Sequence, residues 1–292
     1  MAINLTAAFE QPPPKLDYLW PGLLSGTVGA LVAPGATGKS FWALEAAMAV
    51  ASAGIDGGDL LQLKPEHGGR VTYLAGEDPE AILITRIHEI GKHLNQRARE
   101  AIAHNLVIEP TMGKRVDITH EGQLAHIIEQ CVDTRLIIID TLSRVHGWDE
   151  NSNGEMGRLL GILEYLAERT KAAVLFLHHV SKVSFREGQA DQQHSARGAS
   201  VLVDNARWVG YVAKMTAEEA KKFGVAEEKR GYYVRHGGAK LNYALGAQEQ
   251  WYRRHEGGVL LPDELTDTGT RKAMKAELRR TVDEGDDDEW FR

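Results

Sequence analysis

The chain has 292 residues, 43% of them hydrophobic and 26% charged, values typical of a globular protein with a sizeable core. Most of its formal net charge of −7 lies in residues 283–292, so the rest of the chain is nearly neutral. This balance argues against a polybasic nucleic-acid binder but does not exclude a narrow basic channel. A single cysteine, Cys131, excludes an internal disulfide framework and a zinc site built from cysteines. The chain start lacks the basic residues of a signal peptide and no apolar run is long enough to span a membrane, so we expect a cytoplasmic protein with no membrane partner.

The chain divides by composition into three parts. Residues 1–22 are expected to form an extended leader that contains the stiff Pro12-Pro13-Pro14 run. Residues 23–262 carry the pattern of one folded domain. Residues 263–292 are polar, with a possible basic helix at 270–281 followed by the acidic tail, and we expect this segment to be flexible.

Apolar runs of strand length alternate with helical segments through the first two thirds of the chain. Continuous apolar strands separated by helices are typical of a parallel sheet covered on both faces, so the sequence predicts an α/β fold. Segment 181–195 is polar and without period, which predicts a loop, and the strands after it are expected to be antiparallel. The predicted strands are 27–33, 70–76, 106–109, 136–140, 173–179, 206–215, 231–235 and 258–261, and the predicted helices are 41–54, 79–93, 121–132 and 155–171.

The segment from Ala33 to Ser40 reads APGATGKS and lies between a predicted strand and a predicted helix. This is the arrangement of a P-loop, with Ala33 in place of the usual first glycine. Backbone N–H groups of such a loop and the helix N-terminus bind phosphate oxygens, the lysine reaches the β- and γ-phosphates, and the hydroxyl ligates Mg²⁺. The residues expected to bind the nucleotide here are Gly35, Ala36, Thr37, Gly38, Lys39 and Ser40.

Two carboxylates at neighbouring strand ends complete a hydrolytic set. Asp140 closes the apolar run LIIID at the carboxyl edge of the sheet, where α/β proteins bind ligands, and is predicted to hold the metal with Ser40. Glu77 follows the second strand and could orient or deprotonate the attacking water. Asp78 competes for that role, but its place before Pro79 favours a helix N-cap.

Two histidines end the strand that follows the one with Asp140. Successive strand residues point to opposite faces, so His178 and His179 are poorly placed to chelate one metal ion. One of them could point into the nucleotide cleft and sense the γ-phosphate. For His178 a position packed in the core is the alternative interpretation.

The ordered motifs resemble the RecA-like ring ATPases and, more narrowly, the RepA-type hexameric replicative helicases of broad-host-range plasmids. The motifs are the P-loop, GED at 76–78, IIIDTLSR at 137–144, LHHVSK at 177–182, ARGASVLVDNARW at 196–208 and KLNYAL at 240–245. The similarity runs from the leader to about Gly258. It implies a RecA-like P-loop core with antiparallel C-terminal strands, assembled as a homohexameric ring.

The resemblance also implies roles for single residues. His179 would sense the γ-phosphate, Arg207 would be an arginine finger inserted in trans, and Arg86 and Tyr243 would enclose the adenine. Glu77 would be the catalytic base beside Lys39, with ATP as substrate and Mg²⁺ as cofactor. An edge-strand arginine in a surface ion pair is the competing interpretation of Arg207. Three other residues are alternatives for the role supplied by the neighbouring subunit: Arg197, Arg235 and Lys240.

Contact with single-stranded DNA is expected from two loops, at residues 144–154 and 181–197. The candidate phosphate-binding residues are Arg144, Lys182, Arg186 and Arg197, and Phe185 or His194 could stack on bases. The acidic tail ends in Trp290 and Phe291, which could recruit a replication partner. A solubilising tail is an equally good interpretation.

These observations together predict an ATP-dependent replicative helicase of a plasmid or similar mobile element. The ring would translocate on single-stranded DNA and hydrolyse NTPs at its subunit interfaces. Two alternatives stay open. One is a RecA-like recombination or accessory ATPase that forms filaments, and the other is a nucleotide-switched regulator that binds DNA.

Overall fold

A computed structural model describes residues 2–180, 200–243 and 249–268 of the chain. Its strands are β1 (Tyr18–Trp20), β2 (Leu23–Leu24), β3 (Val28–Ala33), β4 (Arg70–Ala75), β5 (Leu106–Pro110), β6 (Thr134–Asp140), β7 (Ala173–His179), β8 (Trp208–Lys214), β9 (Tyr233–Leu241), β10 (Gln250–Arg254) and β11 (Leu260–Pro262). Its helices are α1 (Leu5–Glu10), α2 (Lys39–Ala51), α3 (Glu80–Gly91), α4 (Gln96–Asn105), α5 (Glu121–Gln130), α6 (Asn153–Thr170), α7 (Ser200–Asn205) and α8 (Ala217–Phe223). The loop expected at 181–195 and the basic helix expected at 270–281 lie outside the described residues.

Nine strands form one mixed sheet in the order β11-β10-β9-β8-β3-β7-β6-β4-β5. The six strands from β8 to β5 in this order run parallel, whereas β9, β10 and β11 join antiparallel at the β8 edge. This topology confirms the predicted α/β class, mostly parallel with antiparallel C-terminal strands. The central strand β3 is buried along its whole length because helices cover both faces of the sheet.

Two apolar layers hold the helices on the sheet. The first lies under α2, α3 and α4, and its largest side chains include Trp42, Trp208 and Tyr252. The second lies under α5, α6 and α7 around Phe176 and the leucines of α6 and α7. Helix α2 is buried on nearly all sides, which explains its alanine-rich sequence, since small side chains allow close approach of the neighbouring elements.

The leader differs from the extended segment that the sequence predicts. Residues 5–10 form α1, whose N-cap Asn4 accepts a hydrogen bond from the Ala7 N–H. Strands β1 and β2 pair in a small antiparallel hairpin, and Trp20 is buried against the rings of Trp42 and Trp208 at centroid distances of 6.0 and 5.8 Å. Residues 18–22 therefore pack with the core of the fold. Across the described ranges, no helix is long and apolar enough to cross a membrane.

Candidate nucleotide-binding and hydrolytic site

The P-loop joins the central strand β3 to the buried helix α2. Gly38 has φ of 106°, a left-handed conformation that favours glycine, and a Cβ there would lie 2.8 Å from the Arg254 guanidinium. Ala36 is also left-handed, at φ of 58°. The Thr37 hydroxyl donates to the Pro34 carbonyl at 2.6 Å and closes the turn. The tight turn places the first residues of α2, Lys39 and Ser40, at the carboxyl edge of the sheet.

Lys39 and Asp140 face each other beneath the loop. The Nζ atom of Lys39 is 3.7 Å from Oδ1 of Asp140, both side chains are almost fully buried, and both atoms lack a hydrogen-bond partner among the described groups. Burial lowers the pKa of Lys39, while the charges of Asp140 and Glu77 oppose that shift. A buried amine and a buried carboxylate oxygen that face each other without a hydrogen bond at the end of a P-loop are suited to a phosphate and a hard cation.

The second oxygen of Asp140 is occupied by a residue of the adjacent strand. The Tyr73 hydroxyl, on β4, donates to Oδ2 of Asp140 at 2.6 Å. Burial, with the Asp140 charge as the second cause, raises the pKa of Tyr73 well above its ordinary value, so the hydroxyl keeps its proton and donates. The sequence did not single out Tyr73, since a tyrosine in an apolar strand resembles any core aromatic residue.

Glu77 lies at the mouth of the cleft and is held by two hydrogen bonds. Nε2 of His179 is 2.9 Å from its Oε1, and the Thr141 hydroxyl donates to the same atom at 3.3 Å. The hydrogen bond with His179, aided by the Lys39 charge, lowers the pKa of Glu77 to about 2 despite partial burial. The carboxylate is thus ionised at neutral pH.

The two neighbouring histidines point in opposite directions, as expected for consecutive strand residues. His179 is 44% exposed and lines the cleft, whereas His178 is buried in the sheet, where desolvation lowers its pKa to about 4. The structure thus places His179 beside the P-loop and Glu77. It places His178 in the core, which is the alternative that the sequence left open.

The cleft measures about 300 Å³, and residues that follow or end four strands surround it. It is lined by Pro34, Ala36, Thr37, Gly38, Lys39, Ser40, Phe41, Glu77, Asp78, Arg86, His179, Arg254 and Gly258. The expected site residues of the P-loop, except Gly35, and Glu77, Arg86 and His179 therefore share one cavity. Asp140 lies beneath it, next to Lys39.

Arg86 and Asp78 form one side of this cleft. Nη1 of Arg86 is 2.6 Å from Oδ2 of Asp78, and its guanidinium lies 5.1 Å from the centre of the Phe41 ring. The expected N-cap role of Asp78 is wrong, because Pro79 is the N-cap residue of α3 and no side chain caps the helix. The Asp78 carboxylate instead pairs with Arg86 and holds its guanidinium at the cleft.

The end of the sheet opposite the P-loop carries Arg207, Lys240 and Tyr243. Trp208, the first residue of β8, pairs with Gly29 near the start of β3 and with Leu241 of β9. Strand β3 separates this edge from the P-loop by about 16 Å, at about 3.3 Å per residue. Arg207 is exposed there, and these side chains cannot serve the nucleotide cleft of their own chain.

The alternatives to Arg207 in the described part of the chain are engaged internally. Arg235 bonds to Glu249 at 2.7 Å and pairs with Glu219 at 3.4 Å. The Lys240 amine donates to the Asp204 carbonyl, and burial together with the Arg207 charge lowers the pKa of Lys240. The third alternative, Arg197, lies outside the described residues.

A family model described as an AAA domain matches residues 2–184, which is more than half of the chain. The chain belongs to this AAA domain family. Its P-loop ATPase core implies ATP binding, typically with Mg²⁺. Within residues 2–180, 200–243 and 249–268, no group of three or more His, Cys, Asp or Glu side chains could hold a metal ion. Mg²⁺ in such a site would depend on few protein ligands and on the nucleotide phosphates, as Ser40 and Asp140 allow.

Two solved structures share the fold of this AAA domain. One is the ATPase domain of another protein, with a TM-score of 0.58 and 13% identity over 89% of this chain and 96% of that chain. The other is a DnaB-like replicative helicase, in a structure concerned with its interactions with primase. It has a TM-score of 0.60 and 14% identity over 90% of this chain and 67% of that chain. The AAA domain therefore has the RecA-like fold of replicative helicase ATPase domains.

One charged residue of the cleft was not predicted from the sequence and lies beyond the residues that the family model matches. Arg254, the last residue of β10, donates from Nη2 to the Thr37 carbonyl at 2.8 Å and lines the cleft. Its strand neighbour Arg253 is exposed and does not line the cleft. The adjacent arginine pair after a strand was the available signal, but nothing in the spacing indicated that β10 ends beside the P-loop.

The expected DNA contacts are described only in part. Arg144 ends a short 3-10 helix after β6 and is exposed, with its stem against Gly76 next to Glu77. The other candidates and the tail lie outside the described residues: Lys182, Phe185, Arg186, His194, Arg197, Trp290 and Phe291.

Proposed function

We propose that this AAA domain is an ATP-dependent replicative DNA helicase of a plasmid or similar mobile element, which acts as a homohexameric ring on single-stranded DNA. One observation carries the proposal. The cleft holds phosphate-binding, metal-binding and water-orienting groups, while the exposed Arg207 lies at the far edge of the same sheet. In this proposal Arg207 is assigned to the cleft of the next copy, in addition to Arg86 and Arg254, which line the cleft of their own chain.

Hydrolysis in this cleft follows from the positions of its side chains. The P-loop N–H groups and Lys39 would bind the phosphates, and Ser40 and Asp140 would hold Mg²⁺, which would supply positive charge to the phosphates when bound. Glu77 is ionised and orients the attacking water. His179 bonds Glu77 and lines the same cleft as the P-loop, so we infer that it contacts the γ-phosphate. Its transfer from Glu77 to the phosphate would free the carboxylate for the water.

The arginine supplied in trans makes hydrolysis depend on assembly. Charge builds up on the equatorial oxygens in phosphoryl transfer, and an arginine finger accelerates the reaction by about 10³–10⁵. Tyr243 lies on the same edge as Arg207, and its carbonyl accepts a hydrogen bond from the Tyr18 hydroxyl at 3.3 Å. We infer that this edge meets the nucleotide of the next copy, with Tyr243 and Arg86 on the two faces of the adenine.

The N-terminal helix supports self-association. Helix α1 and the residue before its cap leave Ile3, Leu5 and Phe9 exposed at 80%, 63% and 84%, and α1 buries none of its residues. A six-residue helix is too short to be stable alone in water, so we expect its apolar side chains to pack against another surface. In this proposal that surface belongs to a second copy of the chain.

Contact with DNA is proposed to come from exposed cations of the loops at the carboxyl edge. Arg144 is the described member of this set and lies beside Gly76 and Glu77, so bound DNA could influence the catalytic carboxylate through it. A DnaB-like replicative helicase is among the structures that share this fold, which supports this part of the proposal. With few cations per chain, binding is expected to be salt-sensitive and to gain strength from the repeated copies of a ring.

The test is unwinding of a forked DNA duplex with ATP and Mg²⁺ by the wild type and by Lys39→Ala. Wild-type strand separation that is lost in the variant would support a motor. The matched control is Lys92→Ala, an exposed lysine paired with Glu89 of α3, which should unwind like the wild type. DNA-stimulated hydrolysis without strand separation would instead favour the recombination ATPase, and binding without appreciable turnover would favour the regulator.

A further inference from the structure

The two oxygens of Asp140 have different partners. Oδ2 accepts the hydrogen bond of the Tyr73 hydroxyl at 2.6 Å, whereas Oδ1 has no hydrogen-bond partner in the described structure and lies 3.7 Å from Nζ of Lys39. Tyr73 is 1% exposed and belongs to β4, while Asp140 ends the adjacent parallel strand β6. The bond therefore forms within the sheet, away from solvent.

We propose that Tyr73 is a positioning residue for Mg²⁺–nucleotide binding, because it holds Asp140 by one oxygen and leaves the other directed at the phosphate site. This inference rests on the proposed nucleotide site but requires neither DNA nor unwinding. Tyr73 does not belong to the cleft lining. It acts through the orientation of Asp140 alone.

The alternative orientation of Asp140 explains why such a residue is needed. The terminal torsion of an aspartate is broad, so a carboxylate without a fixed partner can turn. Lys39 lies 3.7 Å away, and a carboxylate released from Tyr73 could close that gap to a direct hydrogen bond. A tight Lys39–Asp140 pair would engage both the phosphate-binding amine and the metal-binding oxygen. The Tyr73 bond keeps these two groups apart and available.

Burial makes the Tyr73 bond hard to replace. The surrounding strands are closely packed, and Tyr73 and Asp140 are both almost fully buried, so water cannot readily take the place of a deleted hydroxyl. Removing it leaves a buried charged oxygen without its donor, which is costly, and Asp140 must then seek another partner. The cation facing it is Lys39.

The experiment compares the wild type with Tyr73→Phe, which deletes one oxygen and keeps the ring. Binding of a fluorescent ADP analogue is measured in EDTA and across a Mg²⁺ titration, followed by ATPase measurements over the same titration. We expect the half-saturating Mg²⁺ concentration to rise about tenfold, as for loss of a hydrogen bond to a charged group. Affinity in EDTA should also fall, since the released Asp140 then engages the Lys39 amine, but by less than the affinity measured with Mg²⁺. A Mg²⁺ titration identical to that of the wild type would overturn the proposal.

A matched control separates positioning from stability. Tyr252→Phe removes another buried tyrosine hydroxyl, which donates to the Leu61 carbonyl at 2.9 Å. This variant should lose thermal stability but bind Mg²⁺–ADP like the wild type. An equal shift of the Mg²⁺ titration in both variants would show a general effect of loosened packing and contradict the role of Tyr73.

A double variant keeps the test decisive if Tyr73→Phe is too unstable to purify. Asp140→Asn removes the buried charge, so Tyr73→Phe can be added to it without leaving that charge unpaired. If Tyr73 acts through Asp140, the Mg²⁺ dependence of ADP binding is the same in Asp140→Asn and in the double variant. A further shift in the double variant would contradict the proposal by assigning Tyr73 another role. Because ADP binding is the readout, a wild type without ATPase or unwinding would defeat the proposed function and leave this inference standing.

Discussion

Nε2 of His179 and Oε1 of Glu77 lie 2.9 Å apart, although their strands β7 and β4 are not neighbours. Strand β6 lies between them and ends at Asp140, whose carbonyl accepts a hydrogen bond from the Gly76 N–H at 2.6 Å. The carboxyl ends of β4, β6 and β7 thus lie next to one another. The ionisation of Glu77 is consequently tied to His179, which lines the same cleft as the P-loop.

The first prediction concerns the pH dependence contributed by Glu77. Its folded pKa of about 2 lies below the ordinary 4.5, so its favourable contribution is complete above pH 4.5 and is lost as the pH falls toward 2. The free energy of unfolding of the wild type should therefore fall relative to Glu77→Gln between about pH 4.5 and 3. Urea unfolding at a series of pH values measures this difference. A difference that is constant with pH would contradict the lowered pKa.

The second prediction concerns Arg207, the proposed arginine finger. Arg207→Ala should keep nucleotide affinity and assembly but lose about 10³-fold or more of the ATPase rate, since the finger acts in the transition state. Mixed with Glu77→Gln, it should recover part of the activity, because some interfaces then pair an intact Glu77 with an intact Arg207. Steady-state ATPase over a range of mixing ratios checks this, with Lys214→Ala, an exposed lysine at the other end of β8, as control. No recovery at any ratio would remove support for shared sites.

Much of the fold and the inner part of the site could be predicted from the sequence because their signals are local. Buried strands such as 173–179 are continuous apolar runs with the observed bounds, and the P-loop lies where strand, turn residues and helix follow in order. The opposite directions of His178 and His179 follow from the alternation of a strand. These features depend on neighbours in the chain.

What the sequence did not show depends on contacts between distant segments. Strand β10 mixes Gln250, Trp251 and two arginines, and only its pairing with β9 and β11 makes it a strand. Helix α4 buries just Ala98 and Ile102, too few for a clear period. The contacts of Arg254 with Thr37 and of Tyr73 with Asp140 span 217 and 67 residues, and no spacing rule relates such positions.

The third prediction concerns Arg254. Its Nη2 donates to the Thr37 carbonyl, and its guanidinium adds a cation to the cleft that Lys39 and Arg86 also line, so Arg254→Ala should weaken nucleotide affinity about tenfold through the loss of a charge-assisted bond. Arg254→Lys should retain part of the affinity, since the positive charge stays while the planar guanidinium with its several donors is lost. Titration with a fluorescent nucleotide measures both. Arg253→Ala, which changes the exposed neighbour, should bind normally, and equal losses at 253 and 254 would point to a general charge effect.

The fourth prediction concerns His236, a buried histidine that packs with the rings of Trp42 and Trp208. The ring of His236 stacks on Trp42 at 4.3 Å, its Nε2 has no hydrogen-bond partner in the structure described, and burial lowers its pKa to about 3. Because the folded pKa lies below the ordinary 6.5, the stability contributed is complete above pH 6.5 and is lost as the pH falls toward 3.

His236→Phe keeps an aromatic ring against Trp42 and cannot take up a proton. Between about pH 6 and 4 it should reduce the slope of unfolding free energy against pH by about 1.4 kcal/mol per pH unit, the value for one proton. His178, also buried with a lowered pKa, should leave a comparable slope in the variant. Urea unfolding followed by tryptophan fluorescence measures the slopes, with His104→Gln on the exposed surface of α4 as control. An unchanged slope in His236→Phe would show that the ring is already protonated, or solvated, in the folded chain.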